Sequence, residues 1–146
     1  MEITKEIIDI ATPDGDMALV TAKPVGTKPH SAIIVIMEAF GLDPHIVNIT
    51  ERFANAGFFA VAPDLFHRSG RLRFATYDKL QEMREDLRQG FSDQSIDTDI
   101  QQTINFLHNR EDVTSNIGIV GFCLGGRISL QSALRAKGLA GAAIFY

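Results

Sequence analysis

Asn116 to Leu130, NIGIVGFCLGGRISL, decides how the rest of the chain is read. Ile117 to Phe122 is a short apolar run with β-branched residues, the composition of a buried parallel strand. Cys123 follows directly. Leu124, Gly125 and Gly126 then lead into Arg127 to Lys137, which is helical in composition, with apolar residues at Ile128, Leu130, Ala133 and Leu134. The order is strand, sharp turn, helix, with a nucleophile type at the turn. A side chain on such a turn needs neighbours without bulk two positions before and two after, and Gly121 and Gly125 supply that room. The helix start aims unpaired N–H groups and a partial positive charge at the sulfur, which favours a thiolate. It also leaves the Leu124 N–H free to hold a developing oxyanion. The same letters fit a buried, inert cysteine beside a glycine-rich turn.

Outward from this stretch, strands and helices alternate. Ile3 to Ile10 and Met17 to Ala22 flank the turn cluster Thr12-Pro13-Asp14-Gly15-Asp16 and read as an antiparallel hairpin. Ser31 to Met37 is a buried strand, and Asp43 with Pro44 opens a helix running to Ala56. Phe58 to Ala62 is a strand closed by Pro63-Asp64. Leu65 to Thr76 is basic and irregular. Helical spacing returns over Tyr77 to Gln89 and over Gln94 to Asn109, and Gly141 to Tyr146 reads as a last strand. The pattern predicts an α/β fold: a three-layer α/β/α sandwich with a mostly parallel sheet and an N-terminal antiparallel hairpin.

Length and composition narrow the classes. A chain of 146 residues with 45% hydrophobic and 22% charged content is a single globular domain, residues 1–146. The net charge of −4 argues against a nucleic-acid or anionic-membrane surface. The longest apolar run, Ala32 to Met37, is far too short to span a bilayer. One cysteine forbids an internal disulfide and fits a reducing, cytoplasmic setting. No histidine or cysteine spacing suggests a metal, and neither a dinucleotide fingerprint nor a P-loop is present, so no cofactor is expected.

Glu38 is the second residue of chemical interest. It ends its strand at the edge where open α/β sheets place ligands, as Cys123 does, and a carboxylate there can take the thiol proton. It also reads as an exposed loop glutamate. The backbone N–H of Ala39 stands where a second oxyanion donor is expected. Among the four histidines, only His67 lies on the ligand side of the sheet. Arg68, Arg71 and Arg73 could clamp a substrate carboxylate or form a solvated basic loop.

Three segments taken together resemble the dienelactone hydrolase family of α/β-hydrolases: Glu38-Ala39-Phe40-Gly41-Leu42, Ala62-Pro63-Asp64-Leu65-Phe66 and Gly121-Phe122-Cys123-Leu124-Gly125-Gly126. The hairpin matches too. The resemblance implies an α/β-hydrolase fold and hydrolysis of a small-molecule ester or lactone through a thioester on Cys123, with Glu38 as activating partner. Leu124 and Ala39 would give the oxyanion N–H groups. One of Arg68, Arg71 and Arg73 would bind a substrate carboxylate, and Tyr146 would line the pocket.

One departure stands out. The family's triad Asp and His follow the nucleophile on loops after two further strands, and these are not found here. The expectation is an incomplete domain, the N-terminal part of a longer hydrolase, unable to turn over alone. Its last strand would have an uncovered edge open to self-association. Two rivals compete: a class I amidotransferase-like Cys/Glu enzyme, which sheet order would separate, and a non-catalytic fragment that binds a partner.

Overall fold

The computed structural model describes residues 2–146. Two long strands, β1 (Ile3–Thr12) and β2 (Gly15–Pro24), form the hairpin. It closes where the Thr12 hydroxyl donates to the Gly15 carbonyl at 2.7 Å. After β3 (His30–Ile36) comes α1 (Pro44–Asn55), capped by the Asp43 carboxylate, which accepts from the Ile46 N–H at 3.0 Å. Strand β4 (Phe59–Pro63) is buried throughout. An irregular arm from Leu65 to Thr76 follows, then α2 (Leu80–Arg88) and α3 (Asp93–His108). The chain continues through β5 (Val113–Phe122), α4 (Leu124–Arg135) and β6 (Gly141–Phe145).

These strands form one sheet in the order β1-β2-β4-β3-β5-β6. β1, β2 and β4 pair antiparallel, whereas β4, β3, β5 and β6 pair parallel. Helix α1 packs on the β2, β4 and β3 side, while α3 and α4 touch each other and lie on β5. The core comprises the inner faces of this sandwich, with Ile34, Ile36, Ile46, Ile100, Ile104, Leu107, Ile117 and Ile128 fully sealed. The expected α/β sandwich with a mostly parallel sheet and an N-terminal hairpin is the fold observed.

Two local expectations shift. Helix α2 begins at Leu80 rather than Tyr77, because the Lys79 N–H donates to the Thr76 carbonyl at 2.8 Å and closes a turn first. Helix α4 begins directly at Leu124 and buries Gly125, Gly126, Ile128, Ser129 and Ser132, leaving Leu130 and Leu134 exposed. Its inner face is small because the helix lies almost against the strand ends. At the far edge, every residue of β6 is exposed, since only β5 pairs with it.

Candidate active site

Cys123 sits between β5 and α4 with φ 56 and ψ −118, a conformation that costs a non-glycine residue about 1–3 kcal/mol. The surrounding structure over-determines it. The Cys123 N–H donates to the Phe145 carbonyl of β6 at 3.1 Å, and its own carbonyl accepts from the Gly126 N–H at 2.9 Å. A Cβ on Gly121 would lie 2.0 Å from the Gly125 carbonyl oxygen, and one on Gly125 would lie 2.6 Å from that of Ile36. The turn is therefore wedged against the end of β3, and only glycines allow it. The thiol is free and exposed. The Leu124 N–H opens α4 and, like other first-turn donors, has no helical acceptor.

β3 and β5 are parallel neighbours with Ile36 opposite Gly121, so Glu38 and Cys123 each lie two residues past one paired position. Both therefore stand at the same edge of the sheet. Glu38 is half-buried. Its carboxylate accepts from the Tyr77 hydroxyl at 3.4 Å, and no hydrogen bond joins it to the sulfur. The Tyr77 ring lies on Phe40, with centroids 4.4 Å apart. The negative charge of Glu38 disfavours a phenolate beside it and raises the Tyr77 pKa. The Ala39 N–H donates to no backbone acceptor among the described residues.

The arm is stitched to this loop. Phe74 bridges Gly41, and the Ala75 N–H donates to the Phe40 carbonyl at 2.8 Å. Gly41 has φ 95, and a Cβ there would meet the Arg73 carbonyl oxygen at 2.7 Å. The arm's root is held by Asp64, fully buried, which accepts from the Phe66 and Leu72 N–H groups. Burial pushes the Asp64 carboxyl up, and the two N–H donors only partly offset that.

The three arginines differ in how they are used. Arg68 spends all three guanidinium nitrogens on the carboxylates of Asp14 and Asp99. Burial works against its charge, but those hydrogen bonds outweigh it and raise its pKa. Arg71 grips Asp9 on β1 through two nitrogens. Arg73 makes only a 3.5 Å approach from Nε to Asp86. The His67 side chain is 2% exposed, with Nε2 at 3.3 Å from Asp99. No imidazole hydrogen-bonds to Cys123 or Glu38 among the described residues. Tyr146 is 88% exposed and lines a groove with His45, Ile49, Arg52, Phe122 and Phe145. No metal-binding cluster of three His, Cys, Asp or Glu occurs among the described residues, and no helix there is long and apolar enough to cross a membrane.

Sequence reasoning passed over Tyr77 and Asp86. Tyr77 was expected in a helix, where its hydroxyl would have had no particular target. Asp86 offers a faint signal: an acid at the buried position of a polar helix, where packing alone would select an apolar residue.

Comparison with known proteins adds the following. The family model of the dienelactone hydrolase family matches residues 17–146. The "Putative carboxymethylenebutenolidase" of Yersinia pestis is 32% identical over 120 residues, covering 82% of this chain and 44% of that protein. A protein of the same name in Methylorubrum extorquens is 31% identical, covering 84% of this chain and 42% of its own. A crystal structure titled "Putative Dienelactone Hydrolase" from Klebsiella pneumoniae superposes with a TM-score of 0.83 at 26% identity, covering 97% of this chain and 59% of that one. The chain spans about half the length of the curated relatives it matches.

Proposed function

Because the chain belongs to the dienelactone hydrolase family, we propose that it carries the acyl-accepting part of an ester- or lactone-hydrolysing site, with Cys123 as nucleophile. The observation that carries this reading is the strained turn at Cys123, φ 56, which lifts an exposed thiol to the start of α4 beside the end of β3. Strain of this kind persists only where the surroundings enforce it, and it is spent here on presenting one sulfur.

In this scheme Glu38 takes the thiol proton as Sγ attacks the substrate carbonyl carbon. The oxyanion is held by the N–H groups of Leu124 and Ala39. Glu38 returns that proton to the departing oxygen as the C–O bond breaks, which frees the alcohol or enol and leaves a thioester on Cys123. The Tyr77 hydroxyl, now on Glu38, keeps the carboxylate oriented until the thiol approaches. Arg73 is the candidate of the three for a substrate carboxylate, since Arg68 and Arg71 are already committed to Asp14, Asp99 and Asp9. Tyr146 would flank the pocket. The amidotransferase-like reading falls with the family match and the antiparallel β1-β2-β4 edge.

Deacylation needs a base for water, and no imidazole hydrogen-bonds to Cys123 among the described residues. General-base help is worth about 10²–10⁴-fold, so the 146-residue chain should acylate once and stall. The test is p-nitrophenyl acetate with burst analysis. A stoichiometric burst lost in Cys123→Ala is expected. Sustained turnover that depends on Cys123 overturns the stalled-acyl reading, and a burst that survives Cys123→Ala overturns the nucleophile. The exposed β6 edge is proposed to pair with a second copy, which sedimentation velocity would register as dimer.

A further inference from the structure

Asp86 is the one buried residue of α2, 2% exposed, and neither carboxylate oxygen has a hydrogen bond among the described residues. Burying an acid this way is costly unless something nearby uses its charge. Among the described residues, the only cation paired with it is Arg73, with Nε 3.5 Å away and no hydrogen bond formed. Arg73 is 41% exposed at its side chain, and nothing among the described residues engages its outer nitrogens. Its own backbone is pinned to the loop that carries Glu38, through the Phe74–Gly41 bridge.

We propose that Asp86 is a positioning residue: it grips Arg73 at Nε and so turns the Nη1/Nη2 edge of the guanidinium toward an anionic group on the substrate. A guanidinium is a planar fork, so holding one edge aims the other. Held in place, it loses less freedom when the anion docks. The contrast with Arg68 supports this, because a carboxylate that also took the outer nitrogens would leave none for a ligand. The inference deepens the proposed function and rests on its reading of Cys123.

The experiment uses the whole chain and needs no turnover. Rates of Cys123 alkylation are measured with iodoacetate, which carries a carboxylate, and with neutral iodoacetamide, using a free cysteine derivative as reference. The wild type should favour iodoacetate relative to the free thiol, by roughly three- to tenfold at low salt. Asp86→Asn should remove that preference while leaving the iodoacetamide rate unchanged, and Asp86→Glu should restore part of it. General loosening would move both rates together, so the ratio separates positioning from a purely structural role. An unchanged or increased ratio in Asp86→Asn overturns the proposal.

Should Asp86→Asn fail to fold, Arg73→Lys decides instead, since it keeps the counter-charge but cannot be held at Nε and still offer a fork. Its ratio should fall to that of Arg73→Gln. A ratio retained in Arg73→Lys overturns the positioning role. Iodoacetamide alone reads the underlying assignment: a wild-type rate no faster than the free thiol's overturns the Cys123 reading and this inference with it.

Discussion

The turn at Cys123 and the arm from Leu65 to Thr76 reach the same edge of the sheet, but they are held there by opposite means. At the turn, the constraint is backbone against backbone: absent side chains at Gly121 and Gly125 let main-chain atoms meet, and no charged group takes part. Along the arm, the Phe74–Gly41 bridge and buried Phe66 are joined by a series of charged anchors. Asp64 holds its root, Arg68 ties it to the hairpin tip and to α3, Arg71 to β1 and Arg73 to α2. Steric constraints of the first kind are short-ranged and insensitive to solution conditions. Ionic constraints of the second kind vary with burial, from Arg68–Asp99 in the interior to Arg71–Asp9 in solvent. The difference shows where rigidity is built in: the turn at Cys123 is held with no play, whereas the arm can be tuned one pair at a time.

Breaking the steric side should have the largest effect. Gly121→Ala places a Cβ 2.0 Å from the Gly125 carbonyl oxygen and 2.6 Å from Ser129 Oγ, so the backbone itself must yield. A loss of about 4 kcal/mol or failure to fold is expected in urea denaturation, with the thiol no longer presented. A mild loss would mean that the turn is softer than its geometry implies.

Next comes the buried end of the ionic side. Arg68→Ala leaves Asp99, 1% exposed, beside His67 without its strong partner. Breaking a buried pair in this way costs about 3–5 kcal/mol. Limited proteolysis should then find new cleavage between Leu65 and Thr76. Resistance equal to the wild type would mean that the remaining anchors hold the arm without Arg68.

A smaller effect sharpens the link between arm and strand end. The phenol of Tyr77 should titrate above its ordinary value of about 10, because ionising it places a second negative charge beside Glu38. Glu38→Gln removes that charge, so the titration should move down in pH. Ultraviolet absorbance of the phenolate in a Tyr146→Phe background reads Tyr77 alone, since the chain holds 2 tyrosines. No movement would separate Tyr77 from Glu38 in solution.

The smallest effect is expected at Arg71. Its pair with Asp9 is half in solvent, 53% and 46% exposed, so Arg71→Ala should change stability by no more than ~0.5 kcal/mol. A loss several times larger would show that the outer arm is cooperative with its buried root.

Much of the site was legible before any coordinates because its constraints are local. Gly121, Cys123 and Gly125 lie within five residues, and their spacing alone demands a turn that only glycines permit. The strand composition of Ala32 to Met37 and Ile117 to Phe122 likewise places Glu38 and Cys123 at strand ends, and parallel pairing then brings those ends to one edge. The ionic anchors were not legible, because each joins residues far apart in sequence: Arg68 to Asp14 across 54 positions and Arg71 to Asp9 across 62. Composition showed three interchangeable arginines, and only the folded chain distinguished the sealed Arg68 and the surface-paired Arg71 from Arg73, whose outer nitrogens are left open. Sequence by itself determined the sheet, the turn and the place of Cys123 on it, since propensity, glycine sterics and hydrophobic periodicity act over a few residues. Tertiary structure alone decided which charges meet, because long-range ion pairing depends on where distant elements pack, and no local pattern encodes that.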